Sequence, residues 1–434
     1  MTEEKISKTY GSPRWTGELN DCTLPMTLDT YSNCAFGCVY CFSQYQRGVG
    51  EGKDAYYGKE VRSVNPERIK KIFSGEPSQF KKFVDARRPI QYGGLSDQFD
   101  GFEKKYGITY EVLSYLKEIN YPICFSTKSA WVFHDPKYQE LFRGQDNWNM
   151  KFSIITLDEE AARKIEVGVP SPEERLEAMK IYSQLNKGGA TLRLRPFILG
   201  VSDKTYEELI RRAAECGATA VTTEFFCLEM RSVQTAKEHY KVISDCCGFD
   251  IVDFYRKHSN GTGYLRLNRK VKEPYVKRMQ ELCHELGLRF YVSDAHFKEA
   301  SDNACCCGLP TDWDYVRGHF GGALQIAKKQ GYVKFSDIQK DMEHWHGFMA
   351  VDANGCQFCG GSTAMRAKFY GLTMAQYLRY LWNTPKSGKS PYKVFEKVLI
   401  PNGRDENGDI IYTYNNDVTF VKHGNEEGVN VRDV

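Results

Sequence analysis

The sequence predicts an α/β protein, a parallel sheet with crossover helices, either open or curled into a barrel, followed by an appended C-terminal region. Short β-rich runs alternate with helical patterns from about residue 25 to about residue 295, the spacing of strand–helix–strand units. After about residue 300 that alternation stops, and a cysteine run, helical stretches and a second cysteine pair take over. The chain therefore divides into an N-terminal extension over 1–25, a core over 26–300 and a C-terminal region over 301–434.

Strands are expected at 27–31, 89–94, 121–127, 150–156, 190–198, 219–226 and 288–293. Between them Val112, Leu113, Leu116 and Ile119 recur at helical spacing. Ser171-Pro172-Glu173-Glu174 reads as an N-cap, a proline at the first helical position and a capping-box glutamate. Asp203 is expected to cap a helix running to Cys216, with Gly217 just beyond its end. The turn-rich PNGRDENGD before IIYTY predicts a closing hairpin. Ligands of parallel sheets sit at the carboxyl ends of the strands, so the loops after each strand are where chemistry is expected.

Of 434 residues, 59 are Lys or Arg and 56 are Asp or Glu, a formal charge of +3. That balance gives no support to a polyanion-binding surface over the whole protein, although it permits a local basic strip. No apolar run reaches the roughly eighteen residues that a membrane-spanning helix needs. The first fifteen residues are polar and lack the apolar segment of a secretory signal. Fifteen cysteines without such a signal point to a reducing cytoplasm, and to metal or redox work rather than disulfides.

Cys34-Ala35-Phe36-Gly37-Cys38-Val39-Tyr40-Cys41 is the most informative segment. Its three thiols can converge on one cubic cluster while Gly37 lets the backbone turn tightly. Three cysteines leave a 4Fe–4S cluster with one iron unligated by protein. A fourth would complete an electron-transfer centre, whereas an open iron can bind a substrate. Buried thiols in a core turn, or a zinc site, are the alternatives.

This spacing, with an aromatic before the last cysteine, resembles the cluster loop of the radical S-adenosylmethionine superfamily. The likeness extends over roughly 30–310. GGLSDQFDGFE at 93–103, STK at 126–128, SIITLDEEAARKIEVGVPSPEERLEA at 153–178 and RLRPFILG at 193–200 resemble the branch of spore photoproduct lyase and the DNA repair photolyase-like proteins. The resemblance implies a partial (β/α)6 barrel and a 4Fe–4S cluster on Cys34, Cys38 and Cys41. It implies S-adenosylmethionine on the open iron and an electron donor such as flavodoxin or ferredoxin. It also implies a 5′-deoxyadenosyl radical that abstracts hydrogen from a substrate. The chain departs from the branch at Asp97-Gln98-Phe99-Asp100-Gly101, and Gly93 and Gly94 stand where the lyases are expected to carry a cysteine hydrogen donor nearby.

Under that resemblance Gly93 and Gly94 let backbone approach the methionine amine. Ser96 and Asp97 accept from it or line the substrate cavity, although an aspartate there also suits a turn bonding its own backbone. Ser153 and Thr156 suit ribose hydroxyls because their short hydroxyls both donate and accept. Glu166 and Arg195 are longer-range candidates. Arg195 can pair bidentately with the cofactor carboxylate, with Arg193, of the same parity, competing. Residues 198–200 supply an adenine edge, Lys128 faces substrate or solvent, and Tyr40 and Phe42 shield the cluster. Cys227 is either a hydrogen donor to a substrate radical or a buried thiol.

Cys305, Cys306 and Cys307 precede Gly308, and Cys356 and Cys359 follow about fifty residues later. Cys306 and Cys307 with Cys356 and Cys359 make a possible auxiliary site for a second 4Fe–4S cluster or zinc, the latter with His344 or His346; otherwise these are core thiols. Cys22, Cys124, Cys216, Cys246, Cys247 and Cys283 read as ordinary thiols. The substrate classes in play are a small molecule or peptide and, alternatively, a nucleic-acid lesion or base. The second is implied by the branch resemblance, and its support from the residues themselves is the basic stretch Arg266, Arg269, Lys270, Lys272, Lys277 and Arg278, set against Glu273. A non-catalytic iron–sulfur electron carrier is the competing class, but it needs no such strand–helix array.

Overall fold

The computed structural model describes residues 6–15, 24–43, 58–260, 264–310, 319–345, 371–395 and 397–416. Seven strands run parallel: β1 Met26–Leu28, β2 Ile90–Tyr92, β3 Ile123–Thr127, β4 Trp148–Ser153, β5 Ala190–Phe197, β6 Ala218–Phe225 and β7 Arg289–Val292. Each pairs with the next in chain order, and Arg14–Trp15 joins β1 antiparallel at the edge. A helix lies in each crossover: α1 Pro66–Phe73, α2 Ile108–Glu118, α3 Pro136–Phe142, α4 Pro172–Leu185, α5 Tyr206–Glu215 and α6 Arg269–Glu285. A doubly wound sheet reverses its strand order at a switch point; this one never does, which is the order of a barrel wall. Because β7 does not pair with β1, the wall stays open. The expected partial (β/α)6 barrel is present, with a seventh strand after the sixth helix.

Alternation along the strands gives the wall two chemistries. Trp148, Met150 and Phe152 of β4 are buried in the apolar core, where the Tyr182 ring of α4 lies 5.9 Å from that of Phe152. Asn149, Lys151 and Ser153 alternate with them on the polar interior face, as Cys124 and Ser126 do on β3 and Thr191 and Arg193 on β5. The expected capping box is present, with Ser171 Oγ accepting from Glu174 N and the Glu174 carboxylate from Ser171 N. Asp203 differs from expectation. Its carboxylate accepts from Gly200 N at 2.5 Å in the preceding turn, and Thr205 stands at the N-terminus of α5.

Between β6 and α6 the chain adds an antiparallel ribbon of Cys227–Glu229, Tyr264–Leu267 and Ser259–Asn260. In the C-terminal region the expected hairpin is the pair Leu399–Arg404 and Ile410–Tyr414, with Tyr332–Val333 on its flank. Trp382 is fully buried beneath it, its indole N–H donating to Ile410 O at 2.6 Å. Trp382→Ala is expected to cost about 3–5 kcal/mol, read as a lower midpoint in urea. Past residue 300 the chain stays in contact with the core. Thr222 Oγ1 donates to Cys306 O at 2.6 Å and Tyr291 Oη to Leu309 O at 3.1 Å, which ties residues 303–309 to the barrel interior.

Candidate functional site

The loop after β1 brings Cys34, Cys38 and Cys41 into one cleft at the carboxyl ends of the strands. The protein's own bonds hold that loop. Gly37–Cys38 pairs antiparallel with Glu166–Val167, and Val39 N–H donates to Ile165 O at 2.9 Å. Gly37 therefore serves close approach rather than the expected tight turn. A Cβ on it would stand 3.3 Å from Val167 Cβ, and its φ is not positive. Ala35 N–H donates to Asp100 Oδ2 at 2.5 Å. Tyr40 Oη donates to Glu166, whose carboxylate lies 2.7 Å from Arg175 Nη1, both side chains being 1% exposed. Arg175 also donates to Ser153 O at 2.6 Å, so the chain Tyr40–Glu166–Arg175 ties the thiol loop to β4 and α4.

The loop after β2 forms the facing wall. Gly93 has φ +82°, and a Cβ there would sit 2.8 Å from Ser126 O and closer still to the Gln98 amide oxygen. Only glycine suits that backbone. Gly94 and Ser96 line the cleft beside it. Buried Asp29 holds the loop by accepting from Leu95 N at 2.7 Å and Ser96 N at 3.1 Å. Asp97 accepts from Phe99 N, as a turn aspartate does, and also from Thr127 Oγ1 at 2.9 Å and Lys128 N at 2.6 Å. Its carboxylate is thereby committed to joining the β2 loop to the end of β3.

Asp97, Tyr40, Phe42, Ser126, Lys128, Ser153 and Arg193 also line the cleft. Arg193 Nη1 donates to Ser153 Oγ at 3.4 Å. Ser126 Oγ is buried without a hydrogen-bond partner. Neither Lys128 nor Arg193 makes an ion pair among the described residues. The other expected residues lie outside this lining. Thr156 Oγ1 is engaged with Thr205 Oγ1 at 3.0 Å and Asp158 N at 3.1 Å, in a buried loop. Glu166 stands behind the thiol loop. Arg195 pairs with Glu224 and donates to Ser293 Oγ at 3.3 Å. Cys227 lies on the ribbon opposite Arg266, and burial pushes its thiol up to about 11.

Burial pushes the Cys34 thiol well above its ordinary range, with Asp100 and Asp97 adding to the effect. It also pushes Cys38 up to about 12, against the pull of the Lys128 cation. A metal bound by these two sulfurs has to displace their protons. Among the described residues no three His, Cys, Asp or Glu side chains are placed to hold a single metal ion. The ligands of a four-iron cube stand wider apart than those of one ion. A soft three-thiol set on one loop, with two cations and an unpartnered buried hydroxyl beside it, fits a cluster carrying a polar organic ligand.

Cys305 and Cys307 are buried, and they pack with Cys124 of β3. No signal in the sequence pairs Cys124 with a segment some 180 residues later. Cys22, His346, Cys356 and Cys359 fall outside the described residues, as does the side chain of His344, so the expected auxiliary set is only half in view. The basic stretch is largely neutralised. Arg269 pairs with Glu299, Lys272 with Asp294 at 2.8 Å, Lys277 with Glu273 at 2.8 Å and Arg278 with Glu207 at 2.9 Å. No described helix is long and apolar enough to cross a membrane.

No family model matches the chain, and no curated protein does. Among solved structures, a spore photoproduct lyase variant is similar at 16% identity and TM-score 0.47, covering 66% of this chain and 80% of its own. A second variant, with bound AdoMet and dinucleoside spore photoproduct, has 18% identity and TM-score 0.45, covering 64% and 79%. Streptococcus suis SuiB bound to S-adenosylmethionine has 11% identity and TM-score 0.39, covering 64% and 52%.

Proposed function

We propose that the chain is a radical S-adenosylmethionine enzyme whose 4Fe–4S cluster is held by Cys34, Cys38 and Cys41. The observation that carries the reading is the meeting of those thiols, from one loop, with the Gly93–Gly94 loop in a cleft at the strand-end edge of the barrel. When bound, the cluster and S-adenosylmethionine together supply a 5′-deoxyadenosyl radical that takes hydrogen from a substrate.

The chain's own residues bind and orient. Gly93 leaves its backbone bare toward the cofactor amine, and Ser126 Oγ and Ser96 offer hydroxyls beside it. Arg193 and Lys128 supply positive charge for a carboxylate and for the anionic thiolate cluster. Ser153 turns toward the ribose. Asp97 lines the cleft while tying the β2 loop to β3, Thr156, Glu166 and Arg195 position these groups from behind, and Tyr40 and Phe42 cover the cluster loop. Cys227 is retained as a donor of hydrogen to a substrate radical. A flavodoxin or ferredoxin is the electron source. A second cluster or zinc on Cys306 and Cys307 with Cys356 and Cys359 belongs to the same reading. The substrate is a small molecule or peptide, since the ion pairs of the basic stretch leave little charge for phosphates.

Anaerobic reconstitution with iron and sulfide, followed by S-adenosylmethionine and dithionite, is expected to yield 5′-deoxyadenosine. Its absence from a chain that carries four irons would leave the electron-carrier reading. Arg193→Ala is expected to weaken S-adenosylmethionine binding about tenfold, roughly 1.4 kcal/mol, by calorimetry on the reconstituted protein. Arg195→Ala, whose side chain is occupied by Glu224, is expected to weaken it less.

A further inference from the structure

On the strands of the wall furthest from β1, three polar side chains meet outside the lining of the cleft. Arg195 of β5 pairs with Glu224 of β6, and its Nη1 donates to Ser293 Oγ, just past the end of β7, at 3.3 Å. Since β5 and β7 are not neighbours, this contact crosses the face of β6. Strand alternation says which face. Thr222 and Tyr291, two residues before Glu224 and Ser293, bond the carbonyls of Cys306 and Leu309 in the barrel interior. Glu224 and Ser293 therefore point inward, and Arg195 with them.

The pair is open as well as inward. Its side chains are 37% and 20% exposed, whereas those of Lys272 and Asp294, the residue after Ser293, are 0% and 3% exposed. An ion pair as open as the first adds little to stability. What it does is present one positive and one negative group side by side at the carboxyl edge of the barrel. The two signs select the ligand. A phosphodiester would be repelled by Glu224 and a polyamine by Arg195. A ligand with a carboxylate next to an ammonium completes a square of alternating charges without breaking the pair, its carboxylate on Arg195 and its ammonium on Glu224.

We infer that this pair is the substrate subsite, and that the substrate carries a free α-amino acid group. Its assignment to the substrate rests on the radical reading proposed above; the binding site itself does not. Arg193 lies two residues before Arg195 on the same strand, so a group held here is next to the proposed cofactor, and Cys227 follows Glu224 by three residues. The cofactor also has an amino-acid group, but that is given to the Gly93–Gly94 loop and Arg193, inside the cleft.

The test measures binding of the free L-amino acids, one at a time, to the full-length protein by ligand-observed NMR. It is run on the metal-free chain and again after reconstitution with saturating S-adenosylmethionine. At least one amino acid is expected to bind in both states with a Kd of about 1 mM or tighter. Its N-acetyl derivative and its methyl ester, each lacking one charge, are expected to bind at least about tenfold more weakly. Glu224→Gln is expected to weaken the amino acid by about as much and to leave S-adenosylmethionine affinity within about twofold. Should that variant not fold, the two blocked derivatives decide the matter on the wild-type chain. No binding by any amino acid at about 10 mM, or equal binding of the blocked derivatives, would overturn the inference. So would S-adenosylmethionine displacing the amino acid, or losing affinity with it in Glu224→Gln, since the pair would then belong to the cofactor. Amino-acid binding by a chain that forms no 5′-deoxyadenosine would remove the radical reading and keep the site.

Discussion

Cys38→Ala is expected to form no cofactor-binding cluster and no detectable 5′-deoxyadenosine. A loss of at least a thousandfold corresponds to roughly 4 kcal/mol of barrier. The reason is stoichiometric: in the proposed cluster three protein thiolates would hold three irons, and among the described residues no further cysteine lines the cleft to replace one. Cys34→Ala and Cys41→Ala are expected to behave alike. Cys216→Ala, a half-buried thiol at the end of α5, is expected to leave both iron content and product unchanged. Iron counting after anaerobic reconstitution, with chromatography of the nucleoside product, reads all four. A Cys38→Ala protein that still cleaved S-adenosylmethionine would end the radical reading.

Arg175→Leu is expected to destabilise the protein by about 3–5 kcal/mol, because it leaves the Glu166 carboxylate buried without its cation. The damage should not spread evenly. Glu166 also accepts from Tyr40 and pairs with Cys38 across the short ladder, so the thiol loop loosens first. Hydrogen exchange at the Val39 amide, now bonded to Ile165 O, is expected to quicken before the sheet amides do. Replacing Glu166 by Leu in the same chain should restore much of the stability, since the pair is then removed whole. Equal stability of Arg175→Leu and wild type would mean that Arg175 is no counter-ion to Glu166.

The strands and their order were legible because each strand is a short β-rich run bounded by a helical pattern. The capping box at Ser171 was equally plain, since its partners lie three residues apart. The sequence is silent where the deciding neighbour is distant. Thr156 looks like a strand-end hydroxyl until Thr205 occupies it. Glu166 looks like a ligand until Arg175 and Tyr40 claim it. Arg193 and Arg195 share parity on one strand, so only the presence of Glu224 on β6 distinguishes them. Cys124 could not be singled out, because its partners come from a segment that re-enters the barrel after β7.

The two-residue ladder between Gly37–Cys38 and Glu166–Val167 bears on the order in which the protein is put together. A zinc finger stays unfolded until its ion arrives, because metal binding and folding are one event there. Here Ile165, Glu166 and Asp100 hold the thiol loop through ordinary bonds. The backbone course of the thiol loop is therefore set by protein–protein bonds rather than by the cluster proposed for it. If the proposed cluster forms, iron and sulfide would be a late delivery to a receptacle the polypeptide already shapes, and stripping them from the protein is expected to leave the sheet's circular dichroism unchanged.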